Sequence, residues 1–167
     1  MRNEKILIID DEPSVRRLIW KALQSTGILV YQSDSVEKAL DIITRVEFDL
    51  FLLDICLEHE NDGYHLAQMI REVNPFTPIF FLSGKTSEQE IINGLEVGAD
   101  QYLTKPFSLD LLRAQVVAAL DRNKVIRNHH STAEKKKSLL AIFVLIKIAT
   151  NFIKMDSLSS FLPRKSN

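Results

Sequence analysis

Cysteine is almost absent: Cys56 is the only one in 167 residues. A lone cysteine has no partner for an intrachain disulfide and cannot supply the ligand set of a structural zinc site. A reducing, cytoplasmic setting is therefore expected. The apolar stretch behind the charged start spans only residues 6–9 before two aspartates interrupt it, too short for a signal-peptide core. No internal repeat at a solenoid period occurs, and low-complexity sequence is confined to residues 135–137. The apolar stretch within residues 139–155 contains Lys147 and falls short of the roughly 20 residues that a membrane span needs. Net charge is nearly absent too, at −1, but this balance conceals a division. Residues 1–122 hold 12 Lys and Arg against 20 Asp and Glu, a net of −8, whereas residues 123–167 hold 9 against 2, a net of +7. Such asymmetry assigns the basic C-terminal segment a separate task.

What is present describes one globular domain with a modest appendage. Hydrophobic residues make up 46% and charged residues 26%, too apolar for a disordered chain and enough for a real core. Residues 5–9, 28–32, 49–53, 78–82 and 100–103 read as short strands, and several are continuously apolar, as strands covered on both faces should be. Between them, apolar positions recur at helical spacing: Val15, Leu18, Ile19, Ala22 and Leu23, for example, or Ile91, Ile92 and Leu95. Pro13 suits a first helical turn, Gly27 a helix end, and Ser35, Ser87 and Ser108 are N-cap candidates. Strict alternation with short connections implies an α/β fold, a doubly wound parallel sheet with right-handed crossovers.

The chemistry gathers at the strand ends. Asp10 and Asp11, with Glu12 behind them, follow the first strand, and Asp54 ends the third. In an open parallel sheet, ligands bind outside the carboxyl ends of the strands, so these acids are expected to face one small volume. Like charges that close oppose folding unless something positive joins them. A hard cation such as Mg²⁺ suits them, with a few carboxylate oxygens and water as ligands. Ser83 after the fourth strand offers a hydroxyl, and Lys105 after the fifth a compact ammonium suited to phosphate oxygens. Singly, each is an ordinary turn, cap or surface residue. Together they make a phosphoryl site, with Asp54 as the carboxylate able to attack phosphorus.

The stretches IIDDEPSVRRLI, FDLFLLDICL, PIFFLSGK and GADQYLTKPFSLDLL resemble, in order and spacing, the receiver domain of bacterial response regulators, across residues 4–122. The resemblance implies a flavodoxin-like (βα)₅ fold in which Asp54 is phosphorylated by a sensor histidine kinase or phosphotransfer protein. It implies that Asp11 and Asp54 ligate Mg²⁺ directly, aided by the backbone carbonyl of Cys56, with Asp10 acting mainly through water. Ser83 would hydrogen-bond the phosphoryl group, Lys105 would pair with it, and Lys105–Pro106 would be cis. Tyr102 matches the aromatic switch position; an aromatic packed on the fourth helix is the other reading. The output surface would be helix four, strand five and helix five, meeting a downstream partner or a second copy.

The sequence departs from the family pattern in three places. The loop ICLEHENDG is one residue longer before Gly63 than is usual, and Glu58 stands where proline is common. Cys56 and Lys85 occupy the positions that modulate aspartyl-phosphate hydrolysis in the family, and neither is suited to orienting a water, so slow dephosphorylation is expected. Cys56 also reads either as a redox sensor or as a small inert hydrophobe.

Residues 123–138 read as a polar basic linker, and residues 139–167 as an amphipathic helix with a C-terminal tail. Adjacent His129 and His130 point apart on any regular element, which argues against a metal role. Lys147, Thr150, Asn151 and Lys154 form one polar stripe on a broadly apolar helix, suited to dimerisation, to docking on a partner or to lying on a membrane surface. Nucleic acid is the least supported partner, since the tail shows no helix-turn-helix pattern. An aspartate-nucleophile phosphatase of the haloacid dehalogenase type is the enzymatic alternative, but it requires a D-x-D pair that Asp10–Asp11–Glu12 does not supply. A flavodoxin would need a hydroxyl- and glycine-rich loop after the first strand, which is missing.

Overall fold

In the computed structural model, residues 3–57, 59 and 61–130 are described. The linker beyond residue 130, the amphipathic segment at 139–155 and Glu58 lie outside the described residues. Strands β1 (Lys5–Ile9), β2 (Leu29–Ser33), β3 (Leu50–Asp54), β4 (Ile79–Ser83) and β5 (Gln101–Thr104) alternate with helices α1 (Pro13–Gln24), α2 (Val36–Arg45), α3 (Asp62–Val73), α4 (Glu88–Glu96) and α5 (Leu109–His130). The sheet is parallel with order β2-β1-β3-β4-β5, the doubly wound arrangement expected from the alternation.

Period-two alternation splits the core into two layers. Ile6, Ile8, Leu52 and Leu82 point toward α1 and α5, where Ile19, Leu112 and Val116 meet them. Leu7, Ile9, Leu53 and Phe81 point the other way, onto Ala39, Leu66 and Ile70 of α2 and α3. β1 from Ile6 onward and all of β3 and β4 are buried, which is why they read as unbroken apolar runs.

Caps fall where side-chain chemistry placed them. Pro13 opens α1, Ser35 accepts from the Lys38 N–H, Ser87 from the Glu90 N–H at 3.3 Å, and Ser108 from the Leu111 N–H at 3.3 Å. Gly27 adopts φ 77°, the left-handed turn that leads out of α1. Strands β2 to β5 start and end one residue later than expected. For β3 the reason is visible: Asp49 is used up as a join, its carboxylate accepting from the Lys5 N–H at 2.8 Å, so regular pairing begins at Leu50.

Two helical faces differ from expectation. Leu18 on α1 is 52% exposed, and Ile92 and Leu95 on α4 are 40% and 47% exposed. In α4 the buried position is instead Gly94, where an added Cβ would stand 2.7 Å from the Tyr102 ring. The aromatic side chain from β5 occupies the space that a leucine from α4 would otherwise fill. Helix α5 continues past residue 122 to His130. Lys124 pairs with Glu4 at 2.5 Å, and the Asn123 amide donates to the Asp49 carbonyl at 3.4 Å, tying the helix to the amino ends of the strands.

Candidate functional site

β1 and β3 are neighbours at the centre of the sheet, so their carboxyl ends deliver Asp10, Asp11 and Asp54 side by side. One carboxylate oxygen from each lies within 4.8 Å of the others. Asp10 is buried and Asp54 is 5% exposed, while Asp11 faces solvent. Burial raises the Asp10 pKa above its ordinary value, and hydrogen bonds from Lys105 and the Glu12 N–H only partly offset that.

Lys105 reaches across from the end of β5 and supplies the positive charge. Its Nζ lies 2.6 Å from Asp54 Oδ2, 2.8 Å from Asp10 Oδ2 and 3.5 Å from Glu12. Burial alone would lower its pKa, but the hydrogen bonds and charges of Asp10 and Asp54 outweigh burial and raise it. The ammonium is therefore firmly charged. The Lys105–Pro106 peptide is cis. The second oxygen of Asp54, Oδ1, accepts from the Cys56 N–H at 3.1 Å.

Close backbone approach forms the floor of the site. A Cβ on Gly63 would stand 2.1 Å from the Asp54 carbonyl oxygen, so only glycine lets α3 start this near the acid. The longer β3–α3 loop enters α3 through Asn61, whose φ of 73° is a left-handed conformation that asparagine tolerates. Ser83 is fully buried at the end of β4, and its hydroxyl accepts from the Lys85 N–H at 3.0 Å. Tyr102 is half-buried and donates its hydroxyl to the Lys85 carbonyl at 3.1 Å.

Asp10, Asp54 and Lys105 thus meet in direct contact, with Asp11 at the rim. Ser83 and Tyr102 join one another through the backbone of Lys85. Sequence reasoning missed Arg16, whose Nη1 donates to the Asp10 carbonyl at 2.5 Å from the first turns of α1 and fixes the acid-bearing turn. No spacing rule marks that arginine; its partner is a backbone atom. An open groove of about 610 Å³ beside α1 and α2, lined by Arg16, Asp34 and Lys38 among others, includes none of Asp11, Asp54 or Lys105.

The donor set fits a hard cation: three carboxylates, one of them solvent-facing, gather in a volume where burial already resists a lone negative charge. Asp10, Asp11 and Asp54 are the residues able to hold such an ion.

Comparison with known proteins gives a consistent result. The family model of the response regulator receiver domain matches residues 6–117. The nisin biosynthesis regulatory protein NisR of Lactococcus lactis subsp. lactis is 40% identical over 127 residues, covering 76% of this chain and 54% of that protein. The alkaline phosphatase synthesis transcriptional regulatory protein PhoP of Bacillus subtilis is 37% identical over 123 residues, 74% of this chain and 51% of that one. The chain spans about half the length of these curated relatives. Among solved structures, a BeF3-activated DrrB receiver domain superposes with a TM-score of 0.67 at 29% identity, covering 72% of this chain and 99% of that chain. A two-component response regulator from Clostridium difficile gives 0.67 at 34% identity, with 72% and 98% covered.

Proposed function

Since the chain belongs to the response regulator receiver domain family, signalling domains switched by phosphorylation, we propose that Asp54 accepts a phosphoryl group from a sensor histidine kinase or phosphotransfer protein. The observation that carries this reading is the position of Asp54: its carboxylate is 2.6 Å from Lys105 and within 4.8 Å of the Asp10 and Asp11 oxygens. An Asp54 oxygen forms the new bond to phosphorus as the donor's bond to phosphorus breaks, and Lys105 pairs with the phosphoryl oxygens. Ser83 donates its hydroxyl to them. Asp11 and Asp54, the backbone carbonyl of Cys56, and Asp10 through water would hold Mg²⁺, which when bound neutralises charge on the phosphoryl oxygens.

The added group brings about −1.5 to −2 charges, enough to draw Ser83 inward and change the surface of α4, β5 and α5. A partner protein or a second copy reads that surface, with Tyr102 as the aromatic switch. Cys56 and Lys85 leave no side chain suited to orienting a hydrolytic water, which supports slow dephosphorylation. The family match leaves the haloacid dehalogenase reading without support. Among the described residues no helix is long and apolar enough to cross a membrane.

Labelling with a small phosphodonor and Mg²⁺ tests the assignment. The unmodified chain is expected to label and Asp54→Asn to lose labelling entirely. Label that persists in the variant, or that maps to Asp10, overturns it.

A further inference from the structure

Exposed apolar side chains sit on two helices of opposite charge. On α1, Leu18 and Trp20 share the helix with Arg16, Arg17 and Lys21, and no acid is present. On α4, Ile92 and Leu95 share it with Glu88, Glu90 and Glu96, and no base is present. Glu88, Ile92 and Leu95 follow one another at four- and three-residue steps and so form one stripe, with Glu96 a turn beyond Ile92. All four are exposed.

The C-terminal sequence complements α4 and not α1. Residues 139–155 hold two bases, Lys147 and Lys154, and no acid. Leu139, Phe143, Ile146 and Ile153 recur at helical spacing to one side of that basic pair. The lysines are seven positions apart, about 10.5 Å along a helix, and Glu88 and Glu96 are eight apart, about 12 Å.

We propose that residues 139–155 of one chain dock on the α4 stripe of a second copy, with Phe143 and Ile146 against Ile92 and Leu95 and the lysines beside Glu88 and Glu96. Apolar contact supplies the association, and charge selects α4 over α1. Reach favours a second copy over the same chain. Helix α5 packs on the face of the sheet opposite α4, and Lys124 ties its far end to Glu4, just ahead of β1. To meet its own α4 from there, a chain must cross two layers of about 10 Å each and three strand spacings of about 4.8 Å. With the roughly 9 Å that α5 runs on past Lys124, the straight path is about 26 Å. Residues 131–138 span at most about 29 Å when fully extended, so the linker would be drawn taut. A second copy imposes no such limit, and two chains that exchange segments make a closed pair with the same contact on both sides. The pairing requires no phosphoryl group on Asp54.

Sedimentation velocity on the full chain, without a phosphodonor, tests this. The unmodified chain is expected to be a dimer at high micromolar concentration. Ile92→Asp with Leu95→Asp removes the face, and Phe143→Asp with Ile146→Asp removes the segment. Each double variant is expected to be monomeric while keeping the circular dichroism of the unmodified chain. Mixed together, the two should form a heterodimer, because one chain still offers the face and the other the segment. Glu88→Lys with Glu96→Lys should weaken pairing about 10-fold, and adding Lys147→Glu with Lys154→Glu should restore it. A monomeric unmodified chain, a mixture that stays monomeric, or association that survives either double variant overturns the pairing. Charge reversal on α4 that leaves association unchanged overturns the choice of α4.

Discussion

Lys105 holds together charges that would otherwise repel, and its removal should be felt as strongly in folding as in chemistry. With Asp10 buried and Asp54 nearly so, Lys105→Ala leaves two carboxylates facing each other without their cation. Breaking a buried pair from one side typically costs about 3–5 kcal/mol. Urea unfolding at pH 7 is expected to show a loss of about 3 kcal/mol that shrinks as pH falls, because the raised pKa of Asp10 lets it take up a proton and remove one of the opposed charges. A loss that does not change with pH would argue against the charge explanation. In the unmodified chain the two raised pKa values act at opposite ends of the pH scale. Folded Asp10 holds its proton more tightly than the unfolded chain does, so it withdraws stability as pH climbs from about 4 through its raised value. Folded Lys105 contributes stability that is complete below about pH 10.4 and fades as pH rises through its raised value. For the metal, Asp11→Ala should weaken Mg²⁺ binding more than Asp10→Ala, read by the fluorescence of Trp20 on α1. Wild-type titration behaviour in Asp11→Ala would remove Asp11 from the ligand set. These residues were legible because strand-end acids, a hydroxyl and a lysine form a joint pattern. Arg16 was not read as part of the site, since it acts through a backbone contact that residue identity alone does not encode.

Elements were legible to the extent that local chemistry decides them. Caps at Ser35, Ser87 and Ser108 and the turn at Gly27 were readable because each depends on a residue's own donor, acceptor or φ. The outward turn of Ile92 and Leu95 was not, because it depends on an aromatic ring arriving from a different element. Helical spacing shows that a face is apolar without showing what covers it. Gly63 is the converse case, a residue whose necessity becomes visible only when α3 is set against β3. Gly63→Ala would place a methyl group 2.1 Å from a backbone oxygen that cannot rotate away. Thermal or urea unfolding should show a loss of about 3 kcal/mol, the upper part of the overpacking range, along with weakened Mg²⁺ binding. A neutral result would mean that α3 can slide along the sheet.

At the scale of the whole molecule the division of charge is the dominant feature, with −8 before residue 123 and +7 from there on. Charge attraction is screened within about 10 Å at 0.1 M salt, so apolar contact is expected to decide where the C-terminal segment goes. Full-length chain carrying Phe143→Asp and Ile146→Asp is expected to run as a monomer where the unmodified chain associates, with Asp54 labelling unchanged. Sedimentation of a monomeric unmodified chain with anionic vesicles would favour the membrane instead. Fold class followed from alternation alone, whereas the reach of α5 did not, because helical sequence carries no mark for where a sheet beside it stops. That reach has a mechanical consequence. At 1.5 Å per residue, the 22 residues of α5 extend about 33 Å, roughly twice the length of a five-residue strand. The helix leaves the sheet as a lever arm whose near end, at Leu109, follows Lys105 by four residues. A tilt of about 5° at that end sweeps the far end through about 3 Å, so whatever is joined beyond His130 receives an amplified copy of a small angular change.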